Sequence, residues 1–206
     1  MAQHQSSEVI LVPEDNFDRV ALFLSKLFSP LFGFLAGYGI AVFAADNPRS
    51  ALWWAGLSML IQIMPVLVLY RFRMRQGRYS DPDMSRRSDR NEVYALGAVS
   101  MLTAVVVMRY YGAPLAIVQL ALDFFLIGAV CGVVNVWWKI SMHASAIAAV
   151  ATIATMQSRS LGIVLWLTAA AVAWARLHTR NHTPGQVAAG TILATVVVYA
   201  VHRYMV

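Results

Sequence analysis

Seven apolar runs, each closed by polar or turn-forming residues, take up most of this chain: 20–44, 50–70, 93–110, 113–137, 143–157, 161–177 and 184–203. A bilayer core of about 30 Å needs about 20 predominantly apolar residues per helical crossing. Run 143–157 is short for that, and 113–137 is long enough to hold a kink. The pattern therefore predicts an all-α fold, a polytopic transmembrane helical bundle of roughly six to seven spans. Turn signals separate the runs at Asp46-Asn-Pro-Arg49, Gly112-Ala-Pro114 and Gln157-Ser-Arg-Ser160. Residues 1–18 are expected to form a polar N-terminal tail, and 19–206 a single transmembrane domain. The first apolar run has no small-residue cleavage site after a short hydrophobic stretch, so it reads as a retained helix and not as a signal peptide. Small residues around Ala144–Ala151 and Ala169–Ala171 favour close helix packing where lipid gives no hydrophobic drive.

Composition agrees with that picture. A mean hydropathy of +0.61 excludes an ordinary soluble globule. The single cysteine, Cys131, excludes a disulfide or a thiolate metal cluster within one chain. Charge adds information, because the basic residues are clustered. Arg71, Arg73, Arg75, Arg78, Arg86, Arg87 and Arg90 crowd one hydrophilic segment between two spans. With only Phe72 and Tyr79 interleaved, that segment suits anionic headgroups or a phosphate substrate, not nucleic acid. From the N-terminal side, two crossings return the chain at Arg71, two more at Lys139 and two more at Arg176. All three polar constellations then share one face, which the positive-inside rule assigns to the cytoplasm.

The chemistry of those constellations is that of phosphoryl transfer. Arginine offers a bidentate fork to phosphate, and histidine can act as nucleophile or acid near neutral pH. A helix N-terminus adds free N–H groups and a positive dipole end. Arg176 and His182 lie six residues apart, and Thr183-Pro-Gly-Gln186 reads as the start of a helix just after His182. Ser141 and His143 stand at a similar start. Each has a structural explanation too: Ser141 can simply cap its helix, Thr183-x-x-Gln186 is a capping-box pattern, and arginines at helix ends can snorkel. His178 and His202 read as interfacial residues without partners.

These residues resemble the three motifs of the type 2 phosphatidic acid phosphatase superfamily, membrane lipid phosphatases related to vanadium haloperoxidases: K-x6-R-P, P-S-G-H and S-R-x5-H-x3-D. Ala175-Arg176, five residues, His182, three residues and Gln186 follow the third, with Ala and Gln in place of Ser and Asp. Ile140-Ser-Met-His143 follows the second, with Pro and Gly replaced. The arginine-rich stretch from Gly77 to Arg90 stands where the first would be, without an R-P pair. The resemblance covers roughly residues 70–190. It implies that His182 forms a phosphohistidine and that His143 protonates the leaving oxygen. It implies that Arg176 and Ser141 bind phosphate, with Arg78 for the family lysine and Arg87 or Arg90 for its arginine. Gln186 would orient His182 without the charge of the usual aspartate, which predicts either slower chemistry or a substitute carboxylate, with Asp89 and Glu92 as candidates. The family uses no metal or cofactor, so the expected partner is a lipid phosphate or diphosphate in the bilayer.

Two other readings stay open. Asp81 and Asp83 form a D-x-D that could hold Mg²⁺ on a diphosphate, as in a membrane prenyl- or phosphotransferase. Alternatively, Gln186 marks a decayed site in a non-catalytic lipid-binding protein. Asp123, deep in an apolar run, is expected to hydrogen-bond a neighbouring helix.

Overall fold

The computed structural model describes residues 13, 15–80, 84 and 86–205, and its architecture is all-helical, with no strand among the described residues. The helices are α1 (Asn16–Leu27), α2 (Pro30–Phe43), α3 (Pro48–Arg75), α4 (Arg90–Tyr110, entered through a 3-10 turn at Arg87–Asp89), α5 (Leu115–Asn135), α6 (Met142–Gln157), α7 (Arg159–His178) and α8 (Pro184–Tyr204). Five of them (α3, α4, α5, α7 and α8) are long and apolar enough to cross a membrane; the bent α1–α2 pair raises the number to six if it counts as one span. This is the architecture of a polytopic membrane protein.

The helices refine the apolar pattern in several places. Run 20–44 is not one helix, because α1 and α2 meet at a 52° bend. Pro30 has no N–H to give and disfavours the helical region at Ser29, which is extended at φ −62° and ψ 164°. Helix α1 starts at Asn16, so the last three residues of the expected tail are helical, with Asp15 as N-cap. Run 113–137 holds no break: α5 is uninterrupted over Leu115–Asn135. Helix α6 has 16 residues, a rise of about 24 Å, short of a bilayer core.

That short helix is nonetheless the centre of the bundle, packed against α2, α7 and α8. Its alanine-rich surface is why: Ala144, Ala148, Ala149 and Ala151 are buried, and small side chains let three neighbours approach. Two glycines complete the fit. A Cβ on Gly33 of α2 would lie 2.9 Å from the Ala146 Cβ, and one on Gly190 of α8 would lie 2.7 Å from the Ser141 carbonyl oxygen. Gly190 thus sets how closely the starts of α6 and α8 approach. Those two starts carry His143 and His182.

Candidate active site

Each of the two histidines is fixed by an acceptor that decides its tautomer. At the start of α8, Thr183 caps the helix and Gln186 closes a capping box, its Oε1 accepting the Thr183 N–H at 3.2 Å. The same oxygen lies 3.1 Å from His182 Nδ1. An amide oxygen only accepts, so Nδ1 carries the proton and Nε2 keeps its lone pair. At the start of α6, His143 Nε2 lies 3.1 Å from the Ser25 carbonyl oxygen of α1. Here Nε2 must donate, which leaves Nδ1 as the open ring nitrogen of His143.

Both rings line one cavity of about 500 Å³, shared with Arg90 of α4, Arg176 of α7 and Lys26 of α1. Arg176 and His182 are buried, at 4% and 7% exposure, and among the described residues the lining contains no carboxylate. Burial, followed by the charges of Arg176, Lys139 and Arg90, pulls His182 down to about 2, with the Gln186 bond acting weakly the other way. His182 is therefore neutral at physiological pH, the nucleophilic form of an imidazole. From this cationic end the wall turns apolar, along Val66, Val93, Gly97, Met101 and Gly128 of α3, α4 and α5. A pocket with a cationic end and an apolar wall matches an anionic amphiphile.

The remaining sequence candidates fall outside this cavity's lining. Ser141 is fully buried; its side chain caps α6 on the Ala144 N–H at 3.4 Å, while its carbonyl accepts the Ser145 hydroxyl at 3.1 Å. Arg87 bonds the carbonyls of Asn135 and Val136, and Asn135 Nδ2 returns a bond to the Arg87 carbonyl at 3.1 Å, so this arginine ties the start of α4 to the end of α5. Arg78 is exposed on the connection after α3. Of the first-motif arginines only Arg90 reaches the cavity, its Nε held by the Met84 carbonyl at 2.8 Å. Asp89 accepts the Ser80 N–H at 2.7 Å and Glu92 pairs with Arg73 at 2.7 Å. Neither lines the cavity, and Gln186 holds the His182 Nδ1 contact. Asp81 and Asp83 lie outside the described residues.

Two histidines read as partnerless have carboxylate partners. His178 Nε2 sits 2.8 Å from Asp18 Oδ1, joining α7 to α1, and His202 Nε2 sits 2.9 Å from Asp123 Oδ2, joining α8 to α5. The sequence also leaves Ser25 and Lys26 without a signal, since they lie far upstream of every motif that carries the resemblance. Comparison with protein-family models, with curated proteins and with solved structures returned no match to this chain.

Proposed function

We propose that the protein is an integral membrane phosphatase that removes phosphate or diphosphate from a lipid-linked substrate through a phosphohistidine. Isoprenoid phosphates and diphosphates are the preferred substrates, with phosphatidic-acid-type lipids next. The observation that carries this reading is the convergence of His143, Arg176, His182 and Arg90, from four separate elements, on one cavity with an apolar wall. It supports the resemblance to the type 2 phosphatidic acid phosphatases.

The chemistry follows from the tautomers. His143 takes up a second proton, at Nδ1, as the anionic substrate binds; His182 Nε2 then attacks phosphorus and forms the N–P bond, the P–O bond to the lipid breaks, and the leaving oxygen takes that Nδ1 proton. Arg90 and Arg176 hold the non-bridging oxygens as charge moves outward. Water then attacks the phosphohistidine, gives its proton to His143 Nδ1, and releases inorganic phosphate and neutral His182. Gln186 holds Nδ1–H throughout, but it offers no negative charge to the imidazolium that develops. No step is assigned to a metal.

In this reading α1–α2 is one broken crossing and α6 a short one, which makes seven. The arginine segment, Lys139 and Arg176 then share a face, and the positive-inside rule supports a cytoplasmic assignment for it. Substrate reaches the cavity laterally from the bilayer.

The test is phosphate release from farnesyl phosphate, farnesyl diphosphate and phosphatidic acid by purified protein in EDTA. Release that survives EDTA and vanishes in His182→Ala is expected. Activity that needs Mg²⁺ and Asp81 would instead assign a prenyl- or phosphotransferase. Binding without release would assign a lipid-binding protein, the reading that the uncharged Gln186 favours.

A further inference from the structure

We infer that α1 is part of the headgroup site, with the Ser25 hydroxyl donating to a phosphoryl oxygen and the Lys26 ammonium countering its charge. The inference rests on the reading of the cavity as a lipid-phosphate site. Ser25 is 7% exposed, lines the cavity and has no hydrogen-bond partner for its Oγ. Several helical hydroxyls of this chain return to the carbonyl four residues back, as Thr152 and Thr155 do, both at 2.7 Å. Ser25 makes no such bond. A buried hydroxyl left open costs stability, and in a residue that lines a cationic cavity it has a ready acceptor in a phosphate oxygen.

Lys26 is the next residue, exposed where α1 borders the same cavity. With Arg90 and Arg176 it makes three cations around a space lined, among the described residues, by no carboxylate. A phosphate monoester carries about two negative charges at neutral pH, so the third cation matches either fuller compensation or a longer phosphoryl chain. The backbone of Ser25 contributes as well, because its carbonyl fixes the His143 ring. A single turn of α1 therefore positions the acid through its backbone and meets the substrate through two side chains.

The test uses full-length protein in nanodiscs and two probes, farnesyl phosphonate, which cannot be hydrolysed, and uncharged farnesol. Ser25→Ala and Lys26→Met should each weaken phosphonate binding about tenfold and leave farnesol binding unchanged. Lys26→Arg should retain phosphonate binding within about threefold. Ser25→Ala should melt no lower than the wild type, since it deletes an unsatisfied hydroxyl. Wild-type phosphonate affinity in both Ser25→Ala and Lys26→Met would overturn the inference, as would equal losses for phosphonate and farnesol. Wild-type protein that binds the phosphonate yet releases no phosphate from farnesyl phosphate would sink the phosphatase reading, with the role of α1 still decided by the binding ratios.

Discussion

Gln186 does two jobs with one oxygen. It closes the capping box of α8 and holds the proton on His182 Nδ1, at 3.2 and 3.1 Å. The second job is steric and polar, whereas an aspartate would add charge. Because buried His182 sits beside Arg176, Lys139 and Arg90, its charged form is disfavoured. In the proposed mechanism the imidazolium that develops during attack meets the same penalty, which an anionic substrate relieves. Gln186→Asp should therefore keep or raise turnover of farnesyl phosphate and draw the His182 pKa upward. A tenfold or greater drop in turnover would show that Gln186 is not a weakened orienter. The sign for stability follows from the same shift. The unfolded chain takes up a proton near pH 6.5 while folded His182 stays neutral down to about 2, so this residue costs stability as pH falls through that window.

At the scale of elements, two neighbouring arginines separate structure from chemistry. Arg87 holds the carboxyl end of α5, and Arg90, at the start of α4, lines the cavity. Arg87→Ala should lower the melting temperature, a loss of about 1–3 kcal/mol for carbonyls left short of a partner, with KM for farnesyl phosphate nearly unchanged. Arg90→Ala should raise KM or abolish turnover at nearly wild-type stability. The reverse assignment in the two assays would move the phosphate contact to Arg87. Motif spacing could not tell these two apart, because they are three residues apart on one turn. The helices themselves were legible, since apolar runs bounded by proline, glycine and charge coincide with α3 to α8. The break before Pro30 was overlooked within an apolar run that reads as continuous. Pairs such as Asp18 with His178 were out of reach, because 160 residues separate partners that only tertiary packing joins. Ser25 was illegible for a related reason: a serine in an apolar run acquires meaning only when a cavity forms beside it.

The whole molecule is stitched by polar contacts at the far end from the catalytic candidates too. Asp123 is fully buried on α5 and meets His202, near the end of α8, at 2.9 Å. Removing one member leaves a buried polar group alone, at a cost of about 3–5 kcal/mol if it stays charged. His202→Ala should thus unfold markedly earlier in a denaturing detergent titration. Asp123→Leu combined with His202→Ala should recover much of the loss; failure to recover would show that the pair holds more than α5 against α8. The bent α1 has a different dependence. Phe17, Val20, Phe23 and Leu27 are exposed along it, while Ser25 and Lys26 of the same helix border the cavity. One side of this helix presents an apolar face suited to acyl chains, and the other lines the cavity. If the proposed function holds, the surrounding lipid acts as an outer wall of the site, and the substrate's own solvent helps to shape the enzyme that consumes it.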